Sequence, residues 1–199
     1  MVKTKTLANF EIAGIILSGG AGTRMGGLDK GLQIYRNKPL VEHVITALKP
    51  QTSSITLCVN RHVESYKQFK LSLVQDEHDK HEGPLAGISS ALKFLIRQNS
   101  NASHAVVSSC DTPHLPNNFV AHLLENIGNQ KVAAVFDGDR RQNLHCLIAR
   151  NAWQDLVNYF DDGERAIWKW QNSVEVTEVD FSDQANAFAN FNKLSDLKS

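Results

Sequence analysis

Short apolar runs alternate with longer stretches of helical period along this chain. Ile12 to Leu17 carries no polar residue. An uninterrupted run of that kind is the pattern of a strand buried on both faces. Ile55 to Val59, Leu71 to Val74, His104 to Ser109, Val132 to Phe136 and Leu144 to Ala149 read as further strands, and Val174 to Val179 as a late one. Between them, Leu40, Val44, Ile45 and Leu48 recur at helical spacing after Pro39, and Lys49-Pro50 stops the run. Val63 to Lys70 reads as helical. Gly83-Pro84 opens a helix with Leu85, Ile88, Leu92, Leu95 and Ile96 along one side. Thr112 to Pro116 leads into a helix ending near Gly128, and Ala152 to Phe160 and Glu164 to Trp170 read as two helices split by Asp161-Asp162-Gly163. Gln33 to Asn37 reads as a short extension or a turn, Asp137 to Gln142 as a charged turn, and Leu194 to Leu197 as the start of a last helix. Strands alternating with helices predict a three-layer α/β fold, with a mostly parallel central sheet and helices on both faces. The length of 199 residues predicts one domain, 1–199, with residues 1–10 as an N-terminal extension.

In parallel sheets ligands bind beyond the carboxyl ends of the strands. The polar residues there are Ser18 to Gly22, Asn60, Asp76 and Asp111. That set holds anion-binding backbone and carboxylates, the ingredients of a magnesium–triphosphate site. Five glycines lie between Gly19 and Gly27, and Arg24 and Lys30 supply cations beside them. Glycine amides can approach an anion closely, and Arg and Lys hold phosphates. The stretch is not a P-loop, because Leu28-Asp29 follows Gly27 where Lys-Ser/Thr is required. The dinucleotide fingerprint fails as well, because Met25 follows where its third glycine belongs.

The remaining pattern runs from Leu17 through Gly19-Gly20 and Arg24-Met25-Gly26 to Asp29-Lys30. It resembles the signature of nucleotidyltransferases, and most closely that of molybdenum cofactor guanylyltransferases. Ser109-Cys110-Asp111-Thr112-Pro113 resembles the family's metal motif, Gly83-Pro84-Leu85-Ala86-Gly87 its guanine-side segment, and Phe188 to Asn192 its late asparagine motif. The resemblance implies a Rossmann-like nucleotidyltransferase fold and transfer of GMP from GTP to the phosphate of molybdopterin, giving the guanine dinucleotide cofactor and pyrophosphate. It implies Mg²⁺ on Asp111, with Arg24, Lys30 and Asp111 as the catalytic set. GTP would be held by Leu17, Ser18, Gly19, Gly20, Lys30, Asn60, Asp76, Gly83, Pro84, Leu85 and Asp111. Asp76 would stand near the nucleotide, with any metal contact through water. Asn190 and Asn192 would lie on the acceptor side, and Asp29 would orient Lys30. Molybdenum-insertion proteins and target molybdoenzymes are the implied partners. Two positions depart from the family pattern: Cys58 replaces an asparagine, which moves any base contact to Asn60 or backbone, and Asn143 replaces a proline in the acceptor-side loop. Cytidylyl- or sugar-phosphate nucleotidyltransferases share the same loop logic, and a non-catalytic nucleotide- or cofactor-binding adaptor would use the same binding residues.

Composition narrows the partners. Lys plus Arg and Asp plus Glu both number 21, so no global field draws nucleic acid or an anionic membrane. Met1 to Phe10 has two lysines but no long apolar core, and reads as neither a signal peptide nor a span. Cys58, Cys110 and Cys146 show neither disulfide nor zinc spacing. Cys58 and Cys146 sit in apolar strand-like runs and are expected to be buried thiols, and a reduced compartment, the cytoplasm, is expected. His78 and His81 have metal-like spacing but sit in a charged loop, Glu77 to Glu82, without cysteine support. Trp153, Trp168 and Trp170 are expected to pack the late helices.

Overall fold

The computed structural model describes residues 11–18, 28–76 and 82–198. Residues 1–10, Gly19, Gly20, Arg24 and the rest of 19–27, and the loop with His78 and His81 lie outside the described residues. In chain order the strands are β1 (Ile12–Leu17), β2 (Ile34–Tyr35), β3 (Lys38–Pro39), β4 (Ser54–Cys58), β5 (Ser72–Val74), β6 (His104–Ser109), β7 (Val132–Phe136), β8 (Arg141–Ala149) and β9 (Thr177–Asp180). The helices are α1 (Leu40–Leu48), α2 (Val63–Tyr66), α3 (Pro84–Arg97), α4 (Phe119–Asn126), α5 (Trp153–Asp161) and α6 (Ile167–Ser173).

Seven strands form one sheet in the order β5-β4-β1-β6-β8-β7-β9. The pairings β4–β5, β1–β4, β1–β6 and β7–β9 are parallel, while β8 runs against both its neighbours. β1 is buried along its whole length. Its Ala13, Ile15 and Leu17 pack with Leu85, Ile88 and Leu92 of α3 and with Trp153 and Leu156 of α5. Ile12 and Ile16 pack on the other side with Val41 and Val44 of α1 and Phe119 and Leu123 of α4. Both faces of the sheet are therefore covered. That is why β1 shows no polar alternation.

Several local expectations shift. Gln33 to Asn37 falls in a β2–β3 hairpin, whose Arg36 and Asn37 have φ of 44° and 67°. Two successive positive φ values are what a tight two-residue hairpin turn needs. The helix expected over Val63 to Lys70 ends at Tyr66 and tightens into a 3₁₀ turn, closed by Lys70 at φ 54°. The helix expected from Glu164 starts instead at Ile167. Gly163, at φ 97°, gives its N–H to the Phe160 carbonyl, and Glu164 gives its own to Tyr159, which closes α5. Arg165 then bonds the Phe160 and Glu164 carbonyls. β9 begins at Thr177 rather than Val174, after Glu175 at φ 60°, and the last helix is a 3₁₀ turn over Leu194–Lys198. Trp153 and Trp170 are buried as expected, but Trp168 is 49% exposed.

β8 begins at Arg141, inside the run read as a turn. Ala134 stands opposite Cys146 while Val135 stands opposite Gln142, so Asn143, Leu144 and His145 bulge from the ladder. The β6–β8 pairing ends at Val107–Cys146, which places this bulge at the carboxyl end of β6.

The first turn of α3 comes down on the ends of β1 and β4. A Cβ on Gly87 would lie 3.1 Å from Leu17 Cδ2 and 3.4 Å from Cys58 Cβ. Gly87→Val is therefore expected to lower stability by about 1–3 kcal/mol through overpacking, seen as a lower urea midpoint at unchanged m-value.

Candidate active site

Parallel pairing continues past the strand ends. Ser18 N–H donates to the Cys58 carbonyl at 2.8 Å, Val59 N–H to Val74 at 2.9 Å, and Cys110 N–H to Leu17 at 3.0 Å. The residues that follow β5, β4, β1 and β6 therefore share one rim of the sheet, in the order Asp76, Asn60, Ser18, Asp111. The strand-end placement expected from the sequence holds for Ser18, Asn60, Asp76 and Asp111, while Gly19 to Gly22 lie outside the described residues.

Lys30 meets the rim at its Asp111 end. Its Nζ lies 2.8 Å from Asp111 Oδ2 and donates to Asn192 Oδ1, also at 2.8 Å. Three segments far apart in the chain thus meet at one ammonium. Phe191 N–H donates to the Asp111 carbonyl at 2.9 Å, and the Phe191 ring stands edge-on to Tyr35 and His114. The Asp196 carboxylate accepts from the backbone N–H groups of Asn192 and Lys193, both at 2.8 Å. Those contacts fix the segment that presents Asn192. Asn190, its companion in the motif, is exposed and is not brought to Lys30.

Asp29 supports Lys30 through the backbone. It begins the 3₁₀ turn Lys30–Leu32, and its Oδ1 accepts from Gly31 N–H at 3.1 Å and from the Tyr66 hydroxyl at 2.7 Å. Ser18 points its hydroxyl inward to Tyr66, at 2.7 Å. Toward the other end of the rim, Asn60 and Asp76 clamp each other. Asn60 Nδ2 donates to the Asp76 carboxylate, and Asp76 N–H donates to Asn60 Oδ1 at 2.9 Å. Gly83 and Pro84 are exposed at the head of α3, whereas the side chains of Leu17 and Leu85 are buried in the core beneath it. Only backbone of those two residues is available to a ligand. The departure at Cys58 resolves structurally: its thiol donates to the Gly87 carbonyl at 3.2 Å and holds α3 in place. Burial and the nearby Asp76 push that thiol well above its ordinary range. Asn143 accepts from Arg141 Nε at 2.9 Å within the β8 bulge.

Asp111 also presents an oxygen suited to a metal. Its Oδ1 is buried and has no hydrogen-bond partner among the described residues, while Oδ2 is engaged by Lys30. Mg²⁺ commonly takes one or two carboxylates and completes its shell with water and substrate phosphates, so one such oxygen fits it. The described residues hold no group of three or more metal-ligating His, Cys, Asp or Glu side chains. Asp76 and Asp111 follow strands separated by three strand spacings, about 14 Å, so their backbones are far apart for one ion to be held directly by both.

Sequence reasoning missed His145. It lies in the β8 bulge, 2% exposed, with its Nε2 2.9 Å from Thr112 Oγ1. Thr112 gives its own proton to the Ser109 carbonyl at 2.9 Å, so His145 Nε2–H is the donor between the two. The pair braces the turn that carries Asp111. A lone histidine in an apolar run gives no signal of this role. Burial lowers the His145 pKa from 6.5 to about 4, against a smaller raising effect from the Asp111 charge. The unfolded chain therefore takes up this proton first as pH falls. The contribution is fully present above pH 6.5 and is lost progressively toward pH 4, about 3 kcal/mol in all. Urea unfolding across that window is expected to show this slope in the wild type and to lack it in His145→Gln.

The chain is similar to known proteins over nearly its whole length. The family model described as a MobA-like NTP transferase domain matches residues 14–176. The molybdenum cofactor guanylyltransferase of Cupriavidus pinatubonensis is 36% identical over 199 aligned residues, covering 96% of this chain and 97% of its own. That of Pasteurella multocida is 35% identical, covering 92% and 96%. Among solved structures, molybdopterin-guanine dinucleotide biosynthesis protein A from Archaeoglobus fulgidus superposes with a TM-score of 0.73 at 22% identity, over 94% of this chain and 95% of that one. By near-full-length identity to such relatives, the chain belongs to the molybdenum cofactor guanylyltransferase family of MobA-like NTP transferases.

Proposed function

We propose that this protein transfers GMP from GTP to the terminal phosphate of molybdenum-bound molybdopterin, with Mg²⁺ as its cation. The observation that carries the reading is the Lys30 ammonium held between Asp111 and Asn192 on the rim of strand ends. An acceptor phosphate oxygen forms a bond to the α-phosphorus as the bond to the β-phosphate oxygen breaks, and pyrophosphate leaves. A phosphate monoester is largely dianionic at pH 7, so this attack needs no general base. The chain's task is positioning and charge stabilisation.

Each residue then has a defined job. Lys30 has three N–H donors. Two are spent on Asp111 and Asn192, which leaves the third for a phosphate oxygen. Lys30 also fixes the amide of Asn192: with Oδ1 facing the ammonium, Nδ2 remains as a donor for the acceptor phosphate. Asp111 Oδ1 would hold the cation, which when bound would offset charge on the α-phosphate. Backbone at Ser18 and at Gly83 to Leu85, together with the Asn60–Asp76 pair, lines the nucleoside end. The family resemblance adds Arg24 and the amides of Gly19 and Gly20 to the phosphate end. Three buried free thiols suit a reducing compartment, the cytoplasm. Molybdenum-insertion proteins and target molybdoenzymes are the partners such a product implies.

The decisive assay supplies molybdenum-loaded molybdopterin with GTP, CTP or ATP and follows pyrophosphate. GTP is expected to support turnover well above the others. Preference for CTP would move the protein to cytidylyl transfer, and nucleotide binding without pyrophosphate would make it an adaptor. Asp111→Asn is expected to lower kcat by about 10²–10³ with the circular dichroism spectrum retained. Turnover near the wild-type level in that variant removes Asp111 from the metal role.

A further inference from the structure

Lys30 can meet Asp111 only while the turn that carries it keeps its direction. That turn starts at Asp29, and Asp29 is held by Tyr66, a residue of α2 with no place in the phosphate stretch itself. The Tyr66 side chain is fully buried, with Phe69 beside it. Its hydroxyl stands 2.7 Å from Asp29 Oδ1 and 2.7 Å from Ser18 Oγ. A phenol has one proton. Tyr66 gives it to the carboxylate, so its oxygen accepts from the Ser18 hydroxyl. The relay therefore runs from Ser18 O–H to Tyr66 O–H to the Asp29 carboxylate, which also receives Gly31 N–H. Burial pushes the Tyr66 phenol far up, so it stays a neutral donor.

The packing leaves this relay little slack. A Cβ placed on Gly31 would overlap both Ser18 Oγ and Tyr66 Oη. Ser18 directly follows β1, and Asp29 directly precedes Lys30. One hydroxyl thus ties the two ends of the glycine-rich stretch to each other and to α2.

We propose that Tyr66 is a positioning residue of the transferase: by bonding Ser18 and Asp29 together, its hydroxyl sets the direction of the Lys30 ammonium toward Asp111 and the phosphates. The inference rests on the guanylyl-transfer reading above. Tyr66 itself touches no substrate.

A double-mutant cycle tests it. Tyr66→Phe keeps the ring and removes only the hydroxyl. In the wild-type background it is expected to lower kcat/KM for GTP about tenfold, the scale of one hydrogen bond to a charged group. In a Lys30→Gln background the same change is expected to have almost no effect, because the group it positions is gone. An equal loss in both backgrounds would mean that Tyr66 serves only the core, and would overturn the proposal. Should Tyr66→Phe fail to fold, Asp29→Asn weakens the same bond at constant size and is judged by the same coupling. If the wild type releases no pyrophosphate, the guanylyl-transfer reading fails separately. The cycle is then run on the dissociation constant for inorganic pyrophosphate with Mg²⁺. There, weakening by Tyr66→Phe only while Lys30 is present supports the positioning role, and equal weakening in both backgrounds overturns it.

Discussion

The contact on which the site depends is a single ion pair between residues 30 and 111, joined by an amide from residue 192. Lys30 and Asp111 are both largely shielded from water, with side-chain exposures of 20% and 12%. An ammonium with so little water needs its partners in good geometry, or the cost of desolvation exceeds the attraction. The surrounding structure meets that need from three directions. Cys110 N–H on the Leu17 carbonyl fixes the Asp111 turn from below, Phe191 N–H on the Asp111 carbonyl fixes it from the side, and Asp29 fixes the Lys30 turn. The two supports of Asp111 are backbone hydrogen bonds to segments distant in the chain, and the support of Lys30 is a local side-chain cap.

The sheet provides that placement. Parallel neighbours bring their carboxyl ends to a common rim, so Asp76, Asn60, Ser18 and Asp111 line up without any of them being close in sequence. The antiparallel strand β8 then departs from the regular ladder beside the carboxyl end of β6. The bulge at Asn143 to His145 re-aims a side chain from β8 onto Thr112, beside Asp111. Bulges next to active sites commonly have this use. A neutral imidazole suits the position, since it donates a hydrogen bond without adding a second cation beside Lys30.

Much of this was legible in the chain itself, and the parts that were not share a cause. β1 and β6 announced themselves as apolar runs, and Asp111 and Lys30 stood out because charged residues follow those runs in recognisable motifs. The helix α3 was marked by Gly83-Pro84. The start of α6 was missed although Gly163 was a signal for it, because a glycine at a left-handed helix end also sets the path of the next few residues. What could not be read was pairing across distance. Nothing local couples Asn192 to Lys30, Tyr66 to Ser18, or His145 to Thr112. Tyr66 reads only as one ring of a short helix, and His145 as an interruption in an apolar strand. Cys58 was legible as a buried thiol, but its partner, the Gly87 carbonyl, follows from the descent of α3 onto the sheet.

The late position of Asn192 bears on how the protein is made. Synthesis delivers Lys30 and Asp111 well before the segment that contributes the second acceptor of the ammonium, and domains begin to organise as they emerge from the ribosome. A growing chain can therefore build its sheet through β6 and bring ammonium and carboxylate together while Asn192 is still untranslated. Asn192 is the last of the three to be synthesised, so the set of ammonium, carboxylate and amide is complete only once the chain has been made past it.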